Sequence, residues 1–376
     1  MSEAFALASD NDAELTATGK DPMQPGIYFG LDEALYHADP SLGSGSIRAL
    51  AKCPIYYWVD SHMNPLREPR VETEALLFGR ALHKLVLEGL AAFQHSYRKA
   101  PSKEDYPEAL ITSDDIKAAL KAVGEKVSGV KSELVYRLRA ADPAAVIWDD
   151  LLDEHASECL QTGATSLKPD VYDRIVAGAG MIASNDRVRA AFQGGRPEVS
   201  IFWECDGVPM KARLDYVRLG MGTDGKPIGL ITDLKSYANM LDRPPEKAVV
   251  QAIANTRLDI QAAAYLQGVA LLPGFFNEGR VYGADGVNAD WIKTACSLPI
   301  ERWLWNWCFF EKDSPISMLR SARPGSAMIQ AAQAEVARAQ QAYRDNMQAF
   351  GLDWRFIDPI LDNEVTLEDL PKWIGV

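Results

Sequence analysis

Asp215, Asp233 and Lys235 are the residues whose types and spacing best suit shared chemistry. One residue separates Asp233 from Lys235 in the apolar segment GLITDLKS. Because side chains of a strand alternate between its two faces, both point to the same face. Asp215 lies in the preceding segment, MKARLDYVRL, which is predicted to pair with GLITDLKS as a hairpin. The pattern therefore predicts two carboxylates and one ammonium in a common crevice.

This combination is typical of metal-assisted hydrolysis of a phosphodiester. Two carboxylates, with the Leu234 carbonyl between them, suit a hard cation such as Mg²⁺ or Mn²⁺. Such a cation polarises the phosphate and makes hydroxide available near neutral pH. The Lys235 ammonium can position the attacking water and stabilise the charge that develops on the phosphate. A solvated Asp-x-Lys pair is the alternative, which the apolar neighbours Ile228, Leu230 and Ile231 disfavour because buried charge is costly unless it is used.

Residues on two predicted helices could complete such a site. Gln261 and Tyr265 are four residues apart on a helix that follows the strands, so they share one face. His83 lies one turn after Gly79 on an earlier helix. On spacing alone, a single histidine on an apolar helix is more often a core residue than a ligand. The interpretation of His83 therefore depends on the order of the motifs.

Hydropathy and turn signals predict the elements that position these residues. Segment 197–239 alternates apolar and polar residues around the turns Asp206–Gly207 and Asp224–Gly225, which predicts three strands joined by hairpins. Further strands are predicted in RWLWNWCFFEK and PISMLRSA. Helical spacing predicts helices in these segments: 72–89, 168–193, 245–256, 258–272 and the polar stretch that begins at Ala327. Helices before and after a central mixed sheet predict an α/β fold, with an α+β arrangement as the other possibility.

Residues 112–140 form a self-contained helical pair. One amphipathic helix follows a cap at Ser113 or Asp114, a glycine-containing loop spans 124–129, and a second helix begins at Ser132. Six basic against four acidic side chains give residues 112–139 a local charge of +2 in a chain of net charge −13. The order of leucines, lysines and glycines resembles a SAP-type DNA-binding motif. Lys117 and Lys131 are its candidate DNA contacts, and a solvated helix pair without a partner is the alternative.

Composition bounds the class of protein. A chain of 376 residues with 47% hydrophobic and 24% charged residues can bury a sizeable core. No segment approaches the roughly 18 uncharged apolar residues that span a bilayer, and residues 1–24 resemble a flexible arm and not a signal peptide. We therefore expect a cytoplasmic protein without a membrane partner.

The five scattered cysteines argue against a disulfide framework and a cysteine-rich metal site. The acidic balance does not exclude nucleic acid, which a local patch can bind.

Ser44 and Ser46 precede the apolar residues of a predicted helix near the start of the chain. Either hydroxyl could cap the helix by accepting a backbone N–H of its first turn. A capped helix N-terminus also suits a terminal phosphate. Both serines are therefore candidate DNA contacts as well as candidate caps.

The order of these motifs resembles one nuclease superfamily. GRALH, RLD, TDLK and QAAAY match, in that order, the motifs G-x-x-x-H, D, D-x-K and Q-x-x-x-Y of RecB-type members of the PD-(D/E)XK nucleases. Two longer segments, YHADPSLGSGSIRALAKCPIYYW and PEVSIFWECDGVPMKARLDYV, are similar to the catalytic domain of RecE-type exonucleases. The resemblance covers about residues 25–100 and 165–310, and Leu214 stands where the motif usually has proline. It implies a nuclease domain over 25–376 in which 112–140 is an insertion.

The resemblance implies a Mg²⁺- or Mn²⁺-dependent exodeoxyribonuclease. Such an enzyme degrades one strand of linear duplex DNA from its end, 5′ to 3′, and leaves 3′ single-stranded tails. A closed ring of subunits around the duplex, a tetramer, and a RecT-like single-strand annealing protein as partner are also implied. The roles carried over are these: metal ligands His83, Asp215, Asp233 and the Leu234 carbonyl; catalytic Lys235 and the acidic Glu198; and the DNA-contacting pair Gln261 and Tyr265.

Other functions remain open on the sequence alone. One is another nuclease of the same superfamily, Cas4-like or structure-specific, although the missing cysteine set speaks against the former. A second is a non-catalytic DNA-binding protein on a nuclease-like fold, against which the intact Asp215, Asp233 and Lys235 argue. A third, a carboxylate–metal phosphatase acting on nucleotides, is disfavoured by the helical pair at 112–140.

Overall fold

The computed structural model describes residues 22–68, 72–312, 314 and 316–355. The contact pattern divides them into two compact units. The first comprises residues 22–68, 190–309 and 318–355, and the second comprises 72–189 with the described part of 310–317. Most of the predicted N-terminal arm and the end of the predicted nuclease domain lie outside the described residues.

The described residues form nine strands and fifteen α-helices. The strands are β1 (Gly26–Tyr28), β2 (Tyr97–Lys99), β3 (Thr165–Leu167), β4 (Gly195–Cys205), β5 (Val208–Met221), β6 (Pro227–Tyr237), β7 (Val281–Tyr282), β8 (Trp303–Glu311) and β9 (Ser317–Ala322). The helices are α1 (Glu33–Ala38), α2 (Ser44–Lys52), α3 (Pro54–Asp60), α4 (Glu74–Glu88), α5 (Leu90–Ser96), α6 (Ser113–Ala122), α7 (Lys131–Ala141), α8 (Trp148–Thr162), α9 (Pro169–Ser184), α10 (Asp186–Ala191), α11 (Pro245–Thr256), α12 (Leu258–Val269), α13 (Leu272–Asn277), α14 (Ala289–Ser297) and α15 (Ala327–Phe350).

A seven-stranded mixed sheet forms the centre of the first unit. Its order is β7-β1-β4-β5-β6-β8-β9. The pairs β1–β4, β4–β5 and β5–β6 are antiparallel, whereas β7 is parallel to β1. Asp206 and Gly207 both have positive φ at the β4–β5 turn, as a two-residue hairpin loop requires. The predicted α/β fold, a sheet flanked by helices, is confirmed, and so are the two predicted hairpins.

Helix α12 is the buried centre of this unit. Ten of its twelve residues are buried, because α12 packs against β4 and β5 and also against α2 and α15. Its alanines 262–264 permit close packing, and Gly268 goes further: a Cβ there would lie 2.7 Å from the Trp203 ring. A helix that is apolar on nearly every side is typically buried in this way. The two polar side chains that α12 keeps inside, Gln261 and Tyr265, therefore need polar partners.

Several predicted boundaries are corrected by the structure. The predicted cap at Ser44 or Ser46 is wrong, because Gly43 is the N-cap and Ser44 is already helical. Helix α6 is capped by Thr112, whose hydroxyl and the Asp115 carboxylate form a reciprocal capping box, and not by Ser113 or Asp114. Segment 168–193 divides at Asn185 into α9 and α10, and segment 258–272 divides between α12 and α13.

The second unit is mainly helical. Helices α4 and α9 pack together, and β2 pairs in parallel with β3. Helices α6 and α7 enclose a small core of their own, made of Ile116, Leu120, Leu134, Val135, Leu138 and Ile147. The helical pair predicted at 112–140 is therefore present. No helix among the described residues has the length and apolar character needed to cross a bilayer.

Candidate active site

The β5–β6 ladder ends at the two predicted catalytic aspartates. The register runs from Met221 opposite Pro227 to Tyr216 opposite Thr232, so Asp215 and Asp233 come directly after its last pair. There the Asp215 carboxylate replaces a backbone acceptor: its Oδ2 accepts the Leu234 N–H at 2.8 Å. This bond fixes the Asp215 side chain against the residue that follows Asp233. The end of the ladder thus gathers two carboxylates at one point.

Asp233 is buried and binds two cationic or polar donors. The residue is 1% exposed, and its Oδ1 accepts from Lys235 Nζ at 2.7 Å and from Gln261 Nε2 at 2.9 Å. The Lys235 side chain keeps 24% of its surface exposed, and its Nζ also lies 3.4 Å from the Leu234 carbonyl oxygen. Burying an ion pair adds little net stability, so its retention in a core strand suggests a chemical use.

Lys235 remains a cation in this environment. Burial acts to lower its pKa, but the carboxylates of Asp233 and Asp215 outweigh burial, so the pKa lies above its ordinary value. The positive charge is consequently available to a phosphate oxygen across the ordinary pH range. A lysine held charged beside two carboxylates suits electrostatic stabilisation and not proton abstraction.

Helices α12 and α2 bring further polar groups to the same point. Burial raises the pKa of the Tyr265 phenol, and the carboxylates of Asp233 and Asp215 raise it further, whereas a hydrogen bond with Ser44 and the Lys235 ammonium act in the opposite direction. Ser44 thus lies beside Tyr265 and is the first residue of α2, after the N-cap Gly43. Ser46 is half-buried on the same helix. The structure therefore gathers six predicted site residues around one location: Asp215, Asp233, Lys235, Gln261, Tyr265 and Ser44.

Glu198 lies on β4 across from Asp215. The neighbouring register pairs, Pro197 with Tyr216 and Val199 with Leu214, place Glu198 and Asp215 opposite each other. Glu198 has φ of 55°, a left-handed conformation that costs energy for a residue with a side chain. Its carboxylate forms an ion pair with Arg213 on β5. The catalytic role that the resemblance implies for Glu198 stays a prediction.

Three residues near the site were missed by the sequence analysis. Lys211 and Arg213 alternate with apolar residues before Asp215, so the period-two pattern of K-A-R-L-D was the available signal. Both cations lie over the buried ring of Tyr36, with Lys211 Nζ 4.8 Å and Arg213 Cζ 5.6 Å from its centroid. Tyr36 in turn hydrogen-bonds Tyr265. No pattern in the sequence connects Tyr36 with residues so distant along the chain.

Lys211 is itself unusual for a lysine. It is 8% exposed, and its Nζ donates to the backbone oxygens of Tyr36 and Asp39, each at 2.7 Å. Burial lowers its pKa to about 8, although the Asp39 carboxylate acts in the opposite direction. These bonds attach the end of α1 to β5.

The remaining predicted residues lie in the second unit. His83 is half-buried on α4, with its Nδ1 2.8 Å from the Gly79 carbonyl oxygen. Lys117 pairs with Asp114 at 3.0 Å, and Lys131 pairs with Asp149 at 2.7 Å. The predicted roles of His83 in metal binding and of the two lysines in DNA binding stay predictions.

The donor set near Asp215 suits a hard divalent cation. Among the described residues, no group of three or more His, Cys, Asp or Glu side chains is arranged to hold a metal. The Asp215 and Asp233 carboxylates and the Leu234 carbonyl would leave most of the coordination shell to water and substrate. Mg²⁺ usually keeps several waters and takes one or two carboxylates from the protein. The residues therefore fit Mg²⁺ or Mn²⁺, while the metal itself stays a prediction.

Comparison with known proteins gives little further information. No protein-family model matches the chain, and no curated protein matches it. Among solved structures, it is similar to a candidate exonuclease from Eubacterium rectale, with a TM-score of 0.45 and 14% sequence identity over 88% of this chain and 92% of that one. Similar folds host unrelated activities. The arrangement of side chains, and not this similarity, has to support a function.

Proposed function

We propose that this chain is a metal-dependent deoxyribonuclease whose active site lies at the end of the β5–β6 ladder. The observation that carries the proposal is the convergence of Asp215, Asp233 and Lys235, of which Asp233 is buried and the other two are half-buried, with Gln261 bound to Asp233 at 2.9 Å. The sequence motifs predicted this set of residues. Their meeting in three dimensions is what a working site requires.

Each residue would have a separate task in phosphodiester hydrolysis. Asp215, Asp233 and the Leu234 carbonyl would hold a divalent cation. When bound, this cation polarises the phosphate and lowers the pKa of a coordinated water. Lys235 would orient the attacking water and stabilise the negative charge that develops on the phosphate. Gln261 keeps the Asp233 carboxylate oriented, and Tyr265 borders the place where the DNA backbone would lie.

The finer proposal follows the resemblance to RecE-type exonucleases. We propose that the substrate is linear duplex DNA, degraded on one strand from a 5′ end with Mg²⁺ to leave a 3′ tail. A ring-shaped homo-oligomer, such as a tetramer, and a RecT-like single-strand annealing protein would accompany this activity. These features are proposed from the resemblance alone.

Digestion of linear duplex DNA tests the proposal directly. A duplex labelled at either 5′ end, and a closed circle of the same sequence, are incubated with wild type in Mg²⁺, in Mn²⁺ and in EDTA. We expect cation-dependent loss of nucleotides from the ends of the linear duplex, with the circle intact. The position of the label then reports polarity. Cleavage of the circle would contradict the exonuclease proposal and show an endonuclease.

Two variants separate chemistry from folding. Lys235→Ala should lower the rate by about 100- to 1,000-fold, the usual effect of removing one group that stabilises developing charge. Lys226→Ala, an exposed lysine in the turn before the same strand, is the matched control and should retain full activity. If wild type binds DNA but cleaves it with neither cation, the proposed enzymatic activity is wrong and the chain is a DNA-binding protein.

A further inference from the structure

A groove with basic and aromatic walls lies beside the proposed active site. It has a volume of about 710 Å³ and is formed by α2, α3 and the junction of α11 with α12. We call it the α2–α12 groove and define it by Gly45, Arg48, Lys52, Tyr56, Arg257 and Ile260, which contribute to its lining.

The groove is joined to the active site through two helices. Gly45 follows Ser44, whose hydroxyl binds Tyr265. Ile260 precedes Gln261, which binds Asp233. Consecutive Cα atoms are about 3.8 Å apart, so the walls of the groove begin next to residues of the site.

The charge of the groove is opposite to that of the whole chain. Three lining residues are cationic and one, Asp60, is acidic, in a chain of net charge −13. Arg48 donates to the backbone oxygens of Ser44 and Thr256, at 3.3 and 2.7 Å, so no acid neutralises it in these bonds. Arg257 shares its charge with Asp259 at 3.1 Å. Arg48 and Lys52 therefore provide most of the positive potential.

An exposed aromatic ring completes the groove. Tyr56 is 52% exposed, and Lys52 Nζ lies 4.9 Å from its ring centroid. Cations that follow a phosphate backbone, combined with an aromatic face on which a base can stack, are the features that proteins use to bind single-stranded nucleic acid. A base inside a duplex has both faces covered and could not stack on Tyr56 in the same way.

We propose that the α2–α12 groove binds single-stranded DNA next to the active site, with Arg48 and Lys52 on phosphates and Tyr56 against a base. The inference rests on the proposed nuclease function, because that function supplies the reason for a DNA strand at this place. It assigns to the groove the DNA strand that is unpaired at the end of the duplex.

Binding without cleavage tests this inference. The full chain carrying Lys235→Ala is titrated into a fluorescein-labelled oligothymidylate of twelve nucleotides in EDTA, and anisotropy is followed over a salt series. Adding Tyr56→Ala should weaken binding by about 10-fold, the order expected for one stacked base, whereas Tyr56→Phe should restore it. Adding Lys52→Ala should reduce the slope of log affinity against log salt by about 0.7, as for one lost phosphate contact on a single strand.

Control variants keep the outcomes distinct. Lys293→Ala, an exposed lysine on α14, should bind as the background does. Equal binding by Tyr56→Ala and Lys293→Ala, or no oligothymidylate binding by the background, would overturn the inference. Equal weakening by Tyr56→Ala on a blunt duplex would overturn its restriction to single strands. If wild type cleaves DNA but the groove variants bind oligothymidylate as the background does, the groove proposal alone is wrong. If binding depends on the groove residues but wild type cleaves no DNA, the nuclease proposal alone is wrong.

Discussion

The end of the β5–β6 ladder and the α6–α7 helix pair both carry carboxylates beside lysines, but in opposite environments. In the first, Asp233 is 1% exposed and binds Lys235 and Gln261. In the second, the side chains of Lys117 and Asp114 are 42% and 89% exposed. Similar residue types therefore form a buried ion pair in one region and a solvated one in the other.

The difference shows which charged residues need a functional explanation. An exposed ion pair is worth about 0–1 kcal/mol and forms and breaks at little cost. A buried pair has lost its hydration and adds little net stability even when intact. Charges kept inside a sheet therefore point to chemistry, whereas those on the helix pair are compatible with ordinary solvation. Four variants would break or sharpen this contrast.

The largest effect on folding is expected for Asp233→Asn. The substitution keeps the shape of the side chain but removes the charge that Lys235 faces, and breaking a buried pair costs about 3–5 kcal/mol. Denaturant unfolding, with activity on linear DNA measured beside it, should show lower stability and loss of cleavage. A loss below 1 kcal/mol would show that solvent already screens this pair, and the contrast with the helix pair would disappear.

Leu134→Ala should have the next largest effect, but within the second unit. Leu134 is fully buried in the small α6–α7 core, and truncating a buried leucine costs about 2–5 kcal/mol. Amide hydrogen exchange of α6 and α7 should accelerate while β5 and β6 keep their protection. Unchanged exchange in both helices would mean that apolar packing does not hold the pair together.

Lys211→Met should change how stability depends on pH. The folded pKa is about 8, below the ordinary 10.5, so the unfolded chain binds more protons between these values and stability from this group rises with pH in that window. Relative to the variant, wild type should gain about 2 kcal/mol between pH 7 and 9.5. Parallel stability curves for the two proteins would show that the Lys211 pKa is not depressed.

The smallest effect on folding is expected for Lys117→Ala combined with Lys131→Ala. Each substitution removes an exposed or half-exposed ion pair worth about 0–1 kcal/mol. If the helix pair contacts DNA, duplex affinity should fall and the slope of log affinity against log salt should decrease by about 1.8 for two lost phosphate contacts. Identical salt dependence in variant and wild type would remove the DNA-binding role of both lysines.

Local patterns predicted much of the fold and part of the candidate site. The Asp-Gly turns located the β4–β5 and β5–β6 hairpins, and helical spacing with Pro245 at the start gave the bounds of α11. Period-two alternation also placed Asp233 and Lys235 on one face. Each of these signals acts within a few residues, which is why the sequence alone could show it.

Long-range contacts account for what the sequence could not show. Ser44 is of a residue type that favours helix caps, but Gly43 is the N-cap of α2 and Ser44 lies beside Tyr265, which is distant along the chain. Tyr36 joins the site through Tyr265, which is far away along the chain. The positive φ of Glu198 has no local signature in the sequence.

Gly268 gives the site a dependence on a residue that does no chemistry. Because a Cβ there would lie 2.7 Å from Trp203, any side chain would push α12 away from β4. Gln261 and Tyr265 lie one to two turns earlier on the same rigid helix and would move with it, away from Asp233. The mutational target of the activity is therefore larger than the group of residues that touch substrate. A screen for loss of function would recover Gly268 together with Asp233 and Lys235, although the glycine contributes only the absence of a side chain.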